Sequence, residues 1–417
     1  MIGFDRHKVF LYQNYLLYAI AFFIPLFPRL VPPLILAFGL LSLFTIFKGF
    51  SRVQMGEVPM IMLFLFLVYL LGMTYTENTS RGWFNIEVKL SLLAFPLAFF
   101  GFKFVNKTNY NRTLKAFLLG TVMAVTICYA QSAYKVFWLD HPYYYFVTSR
   151  FSVIVHQSYF TLYIIFSMII TLHFNWPLQV KEPLKALRLV GLLLFFSLAV
   201  ILTGSKTGFI MWLLIAICVT ILFVVRMRYK AIPIIVLAAV MSLTGVVIQQ
   251  APVLQSRLVN VLTVAQSDDV DPTAKESTAV RYLVYSSVWT AITSTPWYGS
   301  GTGDFQDVLD QIYSDKGYVQ AAEKHLNAHN LFLQTWISIG VHGLMLILGV
   351  FILMFYYAIR SKDMVLFGFT LIFFVISLTE STFNVQAGVV FFSFFAVLLT
   401  RRNRSVQPSG SDSDVQN

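Results

Sequence analysis

The sequence predicts an all-α polytopic membrane protein, with about twelve transmembrane helices and one long, partly helical loop between spans 9 and 10. Three observations carry that prediction. The 417 residues are 58% hydrophobic and only 12% charged, against about 25% charged residues in a soluble chain. The mean hydropathy is +0.72. The apolar residues also fall in long unbroken runs, as lipid-spanning helices require, whereas a membrane barrel shows short alternating strands. This balance excludes a water-soluble globule, a disordered chain and a nucleic-acid-binding module.

The runs lie at about residues 9–27, 30–47, 58–74, 84–102, 113–134, 151–174, 188–203, 207–225, 231–249, 330–359, 364–380 and 383–400. Pro25 and Pro96 interrupt two of them, which neighbouring helices can accommodate by covering the freed carbonyl. Residues 1–249 thus hold nine spans, 250–329 a loop, and 330–400 three more spans. The tail 401–417 opens with Arg401-Arg402-Asn403-Arg404 and is expected to be a disordered cytoplasmic end. No A-x-A-like cleavage site follows the first run, so that run is expected to stay as a signal-anchor helix.

With the N-terminus placed in the cytoplasm, the inside segments carry 19 Lys and Arg, and the outside ones, the long loop excepted, carry 6. The asymmetry predicts cytoplasmic termini and a periplasmic loop. The net charge of +11 suits cytoplasmic loops beside anionic lipid and says little about substrate. Cys128 and Cys218 lie within apolar runs and form no disulfide or metal framework.

A structureless loop longer than about 15 residues is unusual in a compact domain. Here 253–265 and 278–292 read as amphipathic helices, the second with Ser277 or Thr278 as N-cap, and 304–324 as a third. The loop holds Asp268, Asp269, Asp271, Glu276, Asp304, Asp307, Asp310, Asp315 and Glu323 against five basic residues, so it is acidic within a basic protein.

Ionisable groups in or beside a membrane are costly, which makes each a functional candidate. On the outer side these are Glu87, Lys89, Arg150, His156, Lys206, Arg281, His329 and Glu380. His329 opens span 10 within Asn327-Ala328-His329-Asn330. A helix N-terminus disfavours the imidazolium, so His329 reads either as a neutral general base or as a capping residue. His325 and His329 have the i, i+4 spacing of helical zinc sites, although no third ligand accompanies them. Arg281, Tyr285 and Trp289 recur every four residues on one helical face. There the guanidinium reads as a bidentate phosphate grip or as a snorkelling side chain.

The stretch Pro296-Trp297-Tyr298-Gly299-Ser300-Gly301-Thr302-Gly303 is either a tight turn or an anion-binding nest of backbone N–H groups. Thr203-Gly204-Ser205-Lys206-Thr207-Gly208 lacks the first glycine of a P-loop. It reads better as an outer turn that sets a cation at the start of span 8. Asp269-Val270-Asp271 has the D-x-D pattern of metal-dependent transferases but sits in a polar, solvated run.

Together these features resemble the O-antigen ligase and polymerase superfamily of bacterial envelope glycosyltransferases. The resemblance is densest over 275–345: Arg281, Trp289, Pro296, Gly299, Gly301, Gly303, Ala328-His329-Asn330, Gly340 and Gly343. The 203–208 turn looks like the family's Ser-Arg-x-Gly turn, with Lys206 where the family has arginine. The resemblance implies a GT-C-like inner-membrane enzyme that needs no metal or cofactor. Its implied donor is an undecaprenyl-diphosphate-linked glycan, and its acceptor is a sugar hydroxyl on lipid A–core or on another lipid-linked glycan, with inversion at the anomeric centre. It implies His329 and Arg281 as catalytic residues and Lys206 as a second diphosphate cation. Arg150, His156, Glu87, Glu380, Trp289, Asn330 and the three glycines are the further expected substrate-binding residues. The readings that compete are a polymerase of the same superfamily, a polysaccharide or lipid transporter without catalysis, and a metal-dependent transferase using Asp269 and Asp271.

Overall fold

A computed structural model describes residues 5–50, 56–102, 107–175, 183–226, 237–238, 241–242, 245, 249, 271–273 and 277–405. The first half runs through α1 (Arg6–Leu26), α2 (Val31–Phe47), α3 (Glu57–Leu71), α4 (Thr79–Lys89), α5 (Ser91–Phe100), α6 (Lys107–Trp138), α7 (Gln157–Phe174), α8 (Pro183–Thr203) and α9 (Lys206–Arg226). After the segment that carries the long loop come α10 (Ser277–Ser294), α11 (Phe305–Asp315), α12 (Val319–Glu323), α13 (Leu331–Arg360), α14 (Met364–Ser377) and α15 (Gln386–Ser405). Among the described residues there is no strand. Among these residues, seven stretches are long and apolar enough to cross a membrane, and four shorter apolar helices accompany them. This is a polytopic membrane protein. The ninth expected span, 231–249, and the amphipathic stretch at 253–265 fall almost wholly outside the described residues.

Three boundaries differ from expectation. The sixth span starts at Gln157 rather than 151, because residues 143–150 form short 3-10 turns and the His156 side chain caps α7. The expected helix at 304–324 is two helices, α11 and α12, separated by Gly317 at φ +68°. The C-terminal helix continues to Ser405, so the first residues of the expected disordered tail are helical.

α7 and α15 form the centre. Every residue of α7 from Ser158 to Thr171 is buried, as is every residue of α15 from Val389 to Thr400. A helix that is apolar all round belongs inside a bundle. Phe166 of α7 meets Phe395 of α15 at 4.8 Å, and α15 is further ringed by Phe117 of α6, 4.9 Å from Phe395, and Phe373 of α14, 4.6 Å from Phe392. Each such pair adds about 0.5–1.5 kcal/mol beyond area burial. The centre therefore fixes where α7 begins and where the α14–α15 connection lies. Outside it, Val280, Val284, Val288 and Ala291 of α10 pack with Phe305 and Leu309 of α11 in a second, smaller core. The helical spacing of those apolar residues makes α10 the amphipathic helix the sequence predicts.

α13 breaks in its middle. Ile339 (φ −130°, ψ 20°) and Gly340 (φ 72°, ψ −167°) leave the helical region. The break frees carbonyls that lipid cannot satisfy. The glycine-rich turn satisfies them: Ser300 N donates to Ile337 O at 2.8 Å and Gly301 N to Ser338 O at 3.0 Å, while Val341 N donates to Trp297 O at 3.0 Å. A Cβ on Gly340 would lie 2.2 Å from Trp297 O, on a backbone already at positive φ. Gly340→Ala is expected to destabilise the protein by about 1–3 kcal/mol. Thermal unfolding of the purified variant checks this, and an unchanged Tm would show that the turn does not hold the break.

Candidate active site

The functional candidates converge on the short segment Leu378–Ser381, which joins α14 to the 3-10 turn Thr382–Asn384 ahead of α15. Four parts of the chain reach it. From the start of α7, Ser158 Oγ donates to Glu380 Oε1 at 3.1 Å. From the start of α9, Thr207 Oγ1 lies 2.8 Å from Thr379 Oγ1. From α10, Arg281 Nη2 donates to Glu380 Oε1 at 2.9 Å. From the start of α13, His329 Nδ1 lies 3.7 Å from Glu380 Oε2. The carboxylate thus stands between the guanidinium and the imidazole.

All three side chains are largely buried, Arg281 at 27%, His329 at 20% and Glu380 at 12% relative exposure. Burial pushes the Glu380 carboxyl up. The His329 imidazole, the Arg281 guanidinium and the Ser158 hydroxyl outweigh it and hold the group below the ordinary carboxylate range. The Nδ1–Oε2 separation is beyond hydrogen-bond reach, and His329 Nδ1 is buried without a hydrogen-bond partner. His329 itself sits at φ +45°. A non-glycine residue in that region signals a backbone held by its surroundings. The holders are visible. His329 N donates to Asn327 Oδ1 at 3.0 Å, and Tyr285 Oη shares its proton between His329 O at 3.3 Å and Leu378 O at 3.4 Å. Burial raises the Tyr285 phenol above its ordinary value, so it remains a donor at neutral pH.

Lys206 opens α9 one residue before Thr207, so it enters the site's neighbourhood through the Thr207–Thr379 contact. His156 stands two residues before Ser158 and accepts from Ser158 N at 3.5 Å. Trp289 lies on α10 two turns past Arg281 and is exposed.

Other expected binding residues are engaged elsewhere. Asn330 caps α13, its Oδ1 accepting from Phe332 N and Leu333 N, while its Nδ2 donates to Leu378 O at 3.2 Å. It positions backbone rather than offering a free amide. Gly299, Gly301 and Gly303 do not form an anion nest. Their N–H groups go to Pro296 O, Ser338 O and Thr76 Oγ1, because the turn plugs the α13 break. The Arg150 guanidinium lies over the rings of Tyr144 and Tyr145, at 4.1 Å and 4.9 Å, and among the described residues no side-chain contact joins it to the Glu380 cluster. Glu87 is exposed on α4, and among the described residues no side-chain contact joins it to the cluster.

The His325–His329 metal pair fails because no helix spans the two residues, and both have positive φ. His325 Nδ1 instead faces Asp310 Oδ2 at 2.8 Å. Asp271 accepts from Thr273 N and Thr273 Oγ1, a local turn, and Asp269 lies outside the described residues. The acidic loop residues Asp304 and Asp307 bind Glu77 N, Asn78 and Arg81, which docks the loop on the α3–α4 connection. Sequence reasoning missed Ser158 and Gln334, whose partners lie far along the chain and leave no local pattern.

Residues 190–348 match the O-antigen ligase family. Over that stretch the chain is similar to the O-antigen ligase family. The matched stretch covers less than half of the chain and holds Lys206, Arg281, the glycine-rich turn and His329, while Glu380 lies beyond it. No curated protein matches the chain. The superfamily comprises glycosyltransferase-like membrane enzymes that act on lipid-linked glycans.

The lowered pKa of Glu380 has a signed consequence. Its ionised form is favoured in the folded state, so its contribution to stability is full above the ordinary value of 4.5 and is lost as pH falls through the lowered one. Thermal unfolding from about pH 6 to pH 3 should therefore show a smaller acid-induced fall in Tm for Glu380→Gln than for the wild type. Parallel curves would show that Glu380 is not held as a carboxylate.

Proposed function

We propose that this protein is an O-antigen-ligase-type glycosyltransferase, moving a glycan from undecaprenyl diphosphate to an acceptor sugar hydroxyl at the periplasmic face of the bacterial inner membrane. The observation that carries this reading is the meeting of Arg281 and His329 at Glu380. A fixed cation and a candidate base come from segments 48 residues apart and stand at one carboxylate. The charge asymmetry of the loops supports cytoplasmic termini, which puts this end of the bundle outside.

No nucleotide energy source exists outside the cytoplasm, so the donor must arrive activated. A diphosphate leaves once cations take up the charge it develops. Arg281 directs one N–H at Glu380, and a guanidinium carries five donors, so the rest remain for phosphate oxygens. Lys206, at the N-terminus of α9, supplies the second cation, and the helix end adds partial positive charge. Lysine acts as a point charge where arginine grips with two bonds.

His329 receives the proton. The carboxylate beside Nδ1 favours the tautomer with hydrogen on that nitrogen, which leaves the Nε2 lone pair for the acceptor hydroxyl. The long Nδ1–Oε2 distance in the unliganded protein is compatible with this, since such contacts tighten when substrate is bound. The acceptor oxygen then bonds to the anomeric carbon as the carbon–phosphate oxygen bond breaks. The electron pair leaves with undecaprenyl diphosphate, the proton goes to Nε2, and the configuration inverts. No metal takes part.

Purified protein supplied with lipid-diphosphate glycan and acceptor sugars should yield the transferred glycan by mass. His329→Ala and Arg281→Ala should each lower turnover by about 10²–10⁴-fold while the protein is still made and inserted. A transporter would keep its flux in His329→Ala, and activity surviving that change would sink the reading. A null strain separates ligase from polymerase. Loss of all long-chain polysaccharide on core marks a ligase, whereas core bearing single repeat units marks a polymerase.

A further inference from the structure

Gln334 lies in the first turn of α13 and is 2% exposed. Its Oε1 accepts from two donors. One is Ala328 N at 2.9 Å, the peptide that precedes His329. The other is Ser381 Oγ at 3.5 Å, on the residue that follows Glu380. One carbonyl oxygen has two lone pairs, and here they bridge the two segments that carry the candidate base and its carboxylate. The Ala328 N–H also fixes the orientation of the amide, because only the oxygen can face it.

The other end of the amide is informative. Gln334 Nε2 is buried without a hydrogen-bond partner. A side chain present only to fill space would not bury an unpaired donor, since an apolar chain of the same size avoids that cost. The position tolerates the orphan and keeps the acceptor. The tie also has a counterpart on the opposite side of Glu380. Asn330 Nδ2 and Tyr285 Oη both donate to Leu378 O, binding the His329 side of the site to the residue two positions before Glu380. Gln334 closes the bracket from the residue after it.

We propose that Gln334 is a positioning residue that sets the separation of His329 from Glu380 by clamping Ala328 N and Ser381 Oγ to one oxygen. It touches neither donor nor acceptor and acts through the two residues that do the chemistry. The proposal rests on the reading of His329 as base and Glu380 as its carboxylate.

Two measurements on the full-length protein test it: steady-state glycan transfer, and the rate at which diethylpyrocarbonate carbethoxylates His329, read on its peptide by mass. Gln334→Met keeps the volume, removes the acceptor and relieves the orphan donor. Its Tm should stay near that of the wild type while kcat falls about tenfold or more, with KM for the lipid-diphosphate donor within about threefold. The carbethoxylation rate of His329 should change by about threefold or more. Gln334→Glu retains an acceptor oxygen and should stay within about threefold of the wild type on both measurements.

The proposal is overturned if Gln334→Met matches the wild type in kcat and in His329 reactivity, or if Gln334→Glu is as impaired as Gln334→Met. Should Gln334→Met fail to accumulate, Ser381→Ala decides, since it removes a single donor. A fall in kcat of about two- to fivefold at unchanged KM supports the clamp, and wild-type turnover overturns it. If the wild type transfers no glycan, the transferase reading fails by itself, and the reactivity of His329 still reports whether Gln334 positions it.

Discussion

One buried carboxylate organises the candidate site of this protein. Glu380 accepts from Arg281 and Ser158 and stands beside His329, so α10 and the starts of α7 and α13 share a charged centre. Removing one partner from such a pair leaves an uncompensated buried charge, at a cost of about 3–5 kcal/mol. The pair therefore does more for specificity of arrangement than for net stability. It requires α10, a helix of the long loop, to dock at the start of α7 and α13. Without that docking, Arg281 would be a basic residue on an amphipathic surface helix.

The carboxylate can serve this way because the scaffold behind it is stiff. α7 and α15 are buried on all faces and locked by ring contacts, so the connection between α14 and α15 is held at both ends. The positive φ of His329 fits the same pattern. Strain at a single residue persists only where its surroundings over-determine it, and here Asn327, Tyr285 and Asn330 supply the constraint. The broken middle of α13 shows the same logic one step deeper. Its freed carbonyls are answered by the glycine-rich turn, which is in turn anchored to α3 through Thr302 Oγ1 and Tyr69 O.

The spans were legible in the sequence because hydrophobic periodicity and run length act locally. Eleven of the twelve expected runs carry helices, and α10 follows the amphipathic pattern of 278–292 almost to the residue. Arg281, His329, Lys206 and Glu380 were also legible as types, since a charge beside a membrane needs a reason. What could not be read was the partner of each group. The glycine-rich turn looked like a nest because its N–H groups had no visible acceptor. The acceptors of Ser300 N and Gly301 N are Ile337 O and Ser338 O, at a helix break far along the chain, and Gly303 N goes to Thr76 Oγ1. Arg150 looked like a second phosphate cation, but stacked tyrosines five and six residues before it along the chain hold its guanidinium. His325 and His329 looked like a helical pair only while a helix was assumed between them. In each case the residue type was informative and the tertiary contact decided its role.

The electrostatics of the cluster follow from topology as much as from side chains. α7, α9 and α13 all begin at the Leu378–Ser381 segment, touching it through Ser158, Thr207 and Asn330. Each helix start contributes about half a positive charge. Added to Arg281, these ends stand beside a single carboxylate, so the local balance stays positive even with Glu380 ionised. An anion entering there need not displace Glu380 to be held, because the carboxylate neutralises only part of the field. On the transferase proposal, Glu380 would keep its place beside His329 while a diphosphate took the remaining donors. In the proposed transfer, the arrangement would separate two tasks that a single arginine–carboxylate pair would set in competition: cation for the leaving group, and orientation for the base.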